Sequence, residues 1–137
     1  MPAKAARMSF AVTEEQRETS ARLNDAWRST IDGESGFVSS AGFERLSLDD
    51  QSAARALVKT YDVWRIDDDI DGNRDFGVIF KTADGAWTAA TPDGEGWLGA
   101  VFWRISCFEL GRDTPALTPW DAATTRRALT LMLPEEY

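Results

Sequence analysis

A chain of 137 residues, 43% hydrophobic and 28% charged, has the size of one domain and lies far from the composition of disordered proteins. Lys and Arg number 15 against 23 Asp and Glu, a formal charge of −8, which repels nucleic acid phosphates and argues against direct DNA binding. There is no histidine and a single cysteine, Cys107, which excludes Ser-His-Asp triads, Cys-His pairs, intrachain disulfides and multi-cysteine zinc sites.

Residues 1–10 are small, basic at Lys4 and Arg7 and without periodicity, and are expected to form a flexible tail ahead of a single α+β domain over 11–137. They lack the apolar run of a signal peptide, and no later segment approaches a membrane span, so a cytoplasmic location is expected. Thr13 followed by Glu14, Glu15 and Gln16 predicts a capping box, and Leu23, Ala26, Trp27 and Ile31 recur at helical spacing until Asp32 and Gly33. That stripe, Trp27 included, is expected in the core. Ser47 to Asp50 repeats the start signal for a second helix, whose apolar face is Ala54, Leu57, Val58 and Tyr61.

Phe76 to Lys81 reads as a strand, Asp84-Gly85 as a hairpin turn and Ala86 to Ala90 as its partner. Pro92, Asp93, Gly94 and Gly96 mark a second turn before a long strand from Trp97 to Phe108. On that strand Val101, Trp103, Ile105 and Cys107 share the face expected to be buried, with Phe102, Arg104, Ser106 and Phe108 opposite. Thr118, Pro119 and Asp121, followed by Leu129, Met132 and Leu133, predict a C-terminal helix. The expected fold class is α+β: a small antiparallel meander of about three to four strands packed against two N-terminal helices and a C-terminal helix.

Signals of chemistry are few. Lys4, Lys59 and Lys81 are the only lysines, no GxxxxGK[ST] run is present, and no cofactor or catalytic residue is expected. Cys107 shares its face with large apolar residues, where a free thiol packs as an inert small hydrophobe. The sharpest local feature is the acidic loop Asp67, Asp68, Asp69, Ile70, Asp71, Gly72, Asn73, Arg74, Asp75, which contains DxDxDG as calcium loops do. Its twelfth position, where a bidentate Glu would close a calcium site, is Val78, and its eighth is Arg74, so a solvated turn is favoured. A metal, if any, would fall to Asp67, Asp69, Asp71 and Asp75. Trp87 and Trp97 stand beside turns and, with Asp67, Asp68, Asp69, Asp71 and Asp75, are candidate partner-binding residues.

The segments Asn24-Asp25-Ala26-Trp27-Arg28, Asp75-Phe76-Gly77 and Phe102-Trp103-Arg104-Ile105 and the run from Thr125 to Tyr137 resemble the bacterial family known as domain of unknown function 3768. The most specific piece is the ending from Arg127 to Tyr137. The family usually carries Asn, Pro and His where Asp68, Ile70 and Arg74 stand here, and Lys, Asp, Tyr and Tyr where Arg104, Ser106, Cys107 and Phe108 stand. The resemblance implies a setting among accessory genes of alphaproteobacterial plasmids and phages, near suspected anti-restriction genes. It implies in turn a non-enzymatic acidic protein of a mobile element that inhibits a host defence system, anti-CRISPR or anti-restriction in type. The expected mode is stoichiometric binding to a protein partner with a basic nucleic-acid-binding surface. Two alternatives stay open: a calcium- or magnesium-dependent enzyme or binding protein using Asp67 to Asp75, and an adaptor or toxin-neutralising protein.

Overall fold

The computed structural model describes residues 12–31, 36–64, 69, 71–91 and 96–137. The tail over 1–10, Asp67, Asp68 and Ile70, and the turn over 92–94 lie outside the described residues.

The predicted capping box starts α1 (Glu14–Thr30): the Thr13 hydroxyl accepts the Gln16 N–H at 3.1 Å, and the Gln16 side chain accepts the Thr13 N–H at 3.0 Å. Its buried face differs from the expected one. Ser20, Ala21, Asn24 and Arg28 point inward, whereas Trp27 is 37% exposed and Ala26 faces solvent. Ile31 alone keeps its predicted place in the core. The helical period is right and its phase is not, because Asn24 and the Arg28 Nη groups are hydrogen-bonded there, which offsets the desolvation cost that an apolar-stripe argument assumes.

The stretch that follows, to which the sequence pattern assigns no element, forms β1 (Phe37–Ser39) and the short α2 (Ala41–Glu44). Ser47 then caps α3 (Leu48–Lys59), which buries Ala54 and Val58 as predicted, with Tyr61 buried just beyond it. Among the described residues no helix is long and apolar enough to cross a membrane.

Strands β2 (Phe76–Thr82), β3 (Trp87–Thr88), β4 (Trp97–Glu109) and β5 (Thr125–Met132) join β1 in a five-stranded sheet of order β1-β5-β4-β2-β3. The sheet is mixed: β1 runs parallel to β5, and the other neighbours are antiparallel. The Asp84-Gly85 turn forms as predicted, with Gly85 at a φ of 89° and the Thr82 N–H on the Ala86 carbonyl at 2.7 Å. The meander does not continue past it. β3 is a two-residue edge, and the chain returns so that β4 pairs with β2, from Phe76 opposite Arg104 to Thr82 opposite Trp97.

The expected C-terminal helix is strand β5, lodged between β1 and β4. Thr118, Pro119 and Asp121 form turns instead, with the Asp121 N–H on the Thr118 carbonyl and the Thr124 N–H on that of Asp121. Leu129 and Leu131 are both fully buried, a period of two that places them on one strand face. The helical spacing of Leu129, Met132 and Leu133 overlaps that alternation by chance, an ambiguity that short apolar runs carry. The β-branched Thr124, Thr125 and Thr130 favour the extended form.

Val101, Trp103 and Ile105 of β4 meet Ile79 of β2, Leu129 and Leu131 of β5, and Phe43, Ala54 and Val58 of the helices in one core. Tyr61, Trp64 and Trp103 pack edge to face with centroids 5.0, 5.1 and 6.0 Å apart. Gly77 makes room for them, since a Cβ there would lie 2.6 Å from Tyr61 Cζ. The three described helices thus bury their inward residues against one face of the sheet. The other face presents Phe76, Val78 and Phe80 of β2, Ala100, Phe102, Arg104, Ser106 and Phe108 of β4, and Arg126, Ala128, Thr130 and Met132 of β5. The C-terminal turn Pro134–Glu136 carries Tyr137 onto Phe76 and Phe102 of that face.

Candidate functional site

The inward face of α1 is a polar hub. Asn24, 4% exposed, donates to the Asn73 carbonyl at 2.8 Å and accepts from Arg127 Nε at 2.7 Å. Arg28 donates to the Val58 and Lys59 carbonyls, each at 3.0 Å, and so ties its helix to the end of α3. The same guanidinium lies over the Trp64 and Trp103 rings at 5.3 and 5.6 Å. Asp25 bridges Arg28 at 2.9 Å to Arg74 at 2.7 Å, and Arg74 in turn stands over Trp64 at 5.5 Å. Arg127 also donates to the Pro119 carbonyl, and burial draws the pKa of its guanidinium down. Asn24, Asp25 and Arg28 therefore tie α3, the acidic loop and β5 to a single helix.

What this hub positions is the loop ahead of β2. Gly72 and Arg74 take positive φ, 69° and 55°. The turn closes through the Gly72 N–H on the Asp69 carbonyl at 3.1 Å and the Arg74 N–H on Asp69 Oδ1 at 2.8 Å. A non-glycine residue in that region persists when its surroundings hold it, and for Arg74 the ion pair with Asp25 does so. The loop then enters β2 with the Asp75 carbonyl accepting the Ile105 N–H at 2.7 Å.

Asp69, Asp71 and Asp75 thereby share a cleft of about 570 Å³ with Phe76, Arg104, Ser106, Phe108, Pro115 and Tyr137. Burial pushes the Asp75 carboxyl up, and the neighbouring charges of Asp69 and Asp71 push the same way, against the pull of a backbone hydrogen bond and, less, of Arg104. Among the described residues neither Asp71 nor Asp75 belongs to an ion pair. Beside the carboxylates, Phe76, Phe102 and Tyr137 meet edge to face at 5.3, 5.4 and 5.6 Å. Glu136 holds this end of the chain in place by accepting from the Ser40 hydroxyl and from the Gly42 and Leu133 N–H groups. Those bonds, the Ser40 hydroxyl first, keep its carboxyl below the ordinary range.

Of the residues singled out in the sequence, Asp69, Asp71 and Asp75 come together, while Asp67 and Asp68 lie outside the described residues. One oxygen of Asp69 is committed to the Arg74 N–H, and among the described residues no group of three or more His, Cys, Asp or Glu is placed to hold a metal ion. Trp87 lies on the helix side of the sheet, its Nε1 donating to Asp50 Oδ1 at 2.9 Å, while Lys81 Nζ meets the other carboxylate oxygen at 3.0 Å. These bonds, that of Trp87 foremost, lower the Asp50 pKa. Trp97 is 45% exposed on the opposite face, edge to face with Phe80, about 25 Å along β4 from the cleft at the usual strand rise.

Cys107 follows the parity of the buried face yet is half-buried, between the cleft and a second pocket of about 230 Å³ that Asn24, Asp75 and Trp120 also line. Sequence reasoning misses the hub roles of Asn24, Asp25 and Arg28, and it misses Phe76, Arg104 and Tyr137 at the cleft. The available signal for the hub is the polar i, i+1, i+4 pattern in mid-helix, which an apolar-stripe reading turns outward.

The described helices on one sheet face, an aromatic-bearing face opposite and an acid-rimmed cleft at its edge define a two-layer α+β protein. The chain belongs to the family described as protein of unknown function DUF3768, whose model matches residues 39–136. That match takes in β2 to β5 and the C-terminal turn, and the hub residues of α1 precede it. No curated protein and no solved structure matches the chain.

Proposed function

We propose that this chain is a non-enzymatic binding protein, encoded on a bacterial mobile element, that inhibits a host defence system of the CRISPR or restriction type. It acts by stoichiometric occupation of a basic, nucleic-acid-binding surface on its target. One observation carries the reading: in a chain of charge −8, Asp69, Asp71 and Asp75 share one cleft that opens beside the exposed ring of Tyr137, which packs on the half-buried Phe76 and Phe102. A negative patch of this kind raises the rate of encounter with a basic groove by on the order of 10- to 1,000-fold at low salt, and adjacent rings supply the short-range contact that charge alone lacks.

The test is phage challenge of a bacterial host with an active CRISPR or restriction system. Expression of the chain is expected to raise the efficiency of plating toward that of the undefended host. Unchanged restriction by each system tried, at verified expression, contradicts the reading.

A further inference from the structure

An antiparallel sheet covered by helices on one side ordinarily turns polar residues to solvent on the other. Here Phe76, Phe102 and Phe108 occupy the face away from the helices, and Tyr137, 67% exposed, packs on the first two. At the Phe76 end this aromatic surface runs into the carboxylates of Asp69, Asp71 and Asp75. Of the cations on the face, Arg126 is bound to Asp113 at 2.8 Å and lies over the Phe108 ring at 4.6 Å. Arg104 is exposed and, among the described residues, in no ion pair.

We propose that this open face is the docking surface and that its occupant is a basic, partly apolar segment of a partner protein. Apolar side chains of the segment lie on Phe76, Phe102 and Tyr137, and one of its Lys or Arg side chains enters the cleft beside Asp71 and Asp75. Charge decides among the occupants. Single-stranded nucleic acid could stack on the same rings, but its phosphates would meet the carboxylate wall, and a second copy of a chain of charge −8 meets like charge. The inference rests on the binding-protein function proposed above and adds to it the surface and the chemistry of the partner.

The full chain, labelled with 15N, is titrated with a synthetic peptide of alternating Arg and Leu and with its counterpart carrying Glu for Arg. The Arg-Leu peptide is expected to shift the amides of Phe76, Phe102, Arg104 and Tyr137, and the Glu-Leu peptide to leave them in place. Tyr137→Lys and Asp71→Lys, both at exposed positions, are expected to weaken binding about tenfold each. Asp49→Lys makes the same charge change as Asp71→Lys but on the helix side, and is expected to stay within about twofold; unchanged amide spectra elsewhere confirm that all three variants fold.

Shifts confined to α1 and α3, or equal binding of the Glu-Leu peptide, overturn the proposal. A wild-type dimer that Tyr137→Lys converts to a monomer in sedimentation also overturns it, by giving the face to a second copy. Restored plating with no peptide binding at this face removes the surface and leaves inhibition standing. Binding as expected with unchanged plating supports the surface and removes inhibition alone.

Discussion

Arg28 is a charged residue that is 4% exposed, and it is tolerated because carbonyl oxygens, a carboxylate and two indole rings surround its guanidinium. Replacing it with an apolar residue of similar length removes one donor each from the Val58 and Lys59 carbonyls and from Asp25, of which Val58 keeps the Tyr61 N–H and Asp25 keeps Arg74. Arg28→Met is therefore expected to lower stability by about 2–3 kcal/mol in urea denaturation; a loss under about 0.5 kcal/mol would show that water substitutes for the guanidinium. Gly77 tests the other kind of tight fit. Gly77→Ala drives a methyl group into Tyr61 and Trp103, and the expected cost is about 1–3 kcal/mol by the same measurement. Trp103 as a core residue was legible in the sequence because it alternates with Val101 and Ile105. The burial of Arg28 was not, since its partners are backbone groups from α3, which leave no trace in the local pattern.

Among the elements, those with local signals were legible. The Thr13 and Ser47 caps and the Asp84-Gly85 turn each involve groups within a few residues of one another, so sequence proximity reports them. β5 owes its form to partners far away: Phe37 to Ser39 on one side and Phe102 to Glu109 on the other. A helix there would carry Leu129, Met132 and Leu133 inward and turn Leu131 toward solvent, whereas the strand buries Leu131 completely. Leu131→Ala is accordingly expected to cost about 3 kcal/mol in chemical denaturation, against nearly nothing for an outward helical position. Within the site, the acidic loop was legible as a cluster of Asp residues. Its neighbours Arg104 and Tyr137 were not, because strand pairing and the C-terminal turn bring them in.

Across the whole molecule the carboxylates act in two directions. The pKa of Asp75 lies above its unfolded value, so its ionisation opposes folding. That cost is absent below the unfolded pKa, grows as pH rises through the interval up to the folded pKa, and is complete above it. Asp50 and Glu136 have lowered pKa values, and the stability they add is present above the unfolded pKa and is lost as pH falls through the folded one. Thermal melts are expected to place Asp75→Asn above the wild type at pH 7, with the difference gone at about pH 3, below the ordinary carboxylate range. A wild type that melts higher than the variant at neutral pH would mean that the carboxylate has a stabilising partner in the free chain.

The proposed division between an α layer that serves as scaffold and a sheet face that docks the partner is best tested in the defended host itself, with Tyr137→Lys, Asp71→Lys and Asp49→Lys each expressed at wild-type level. The first two are expected to lose the rise in plating while keeping the wild-type melting temperature to within about 2 °C, and Asp49→Lys is expected to keep both. Full protection by the open-face variants, with loss in Asp49→Lys, would place the working surface on the helices and contradict that division.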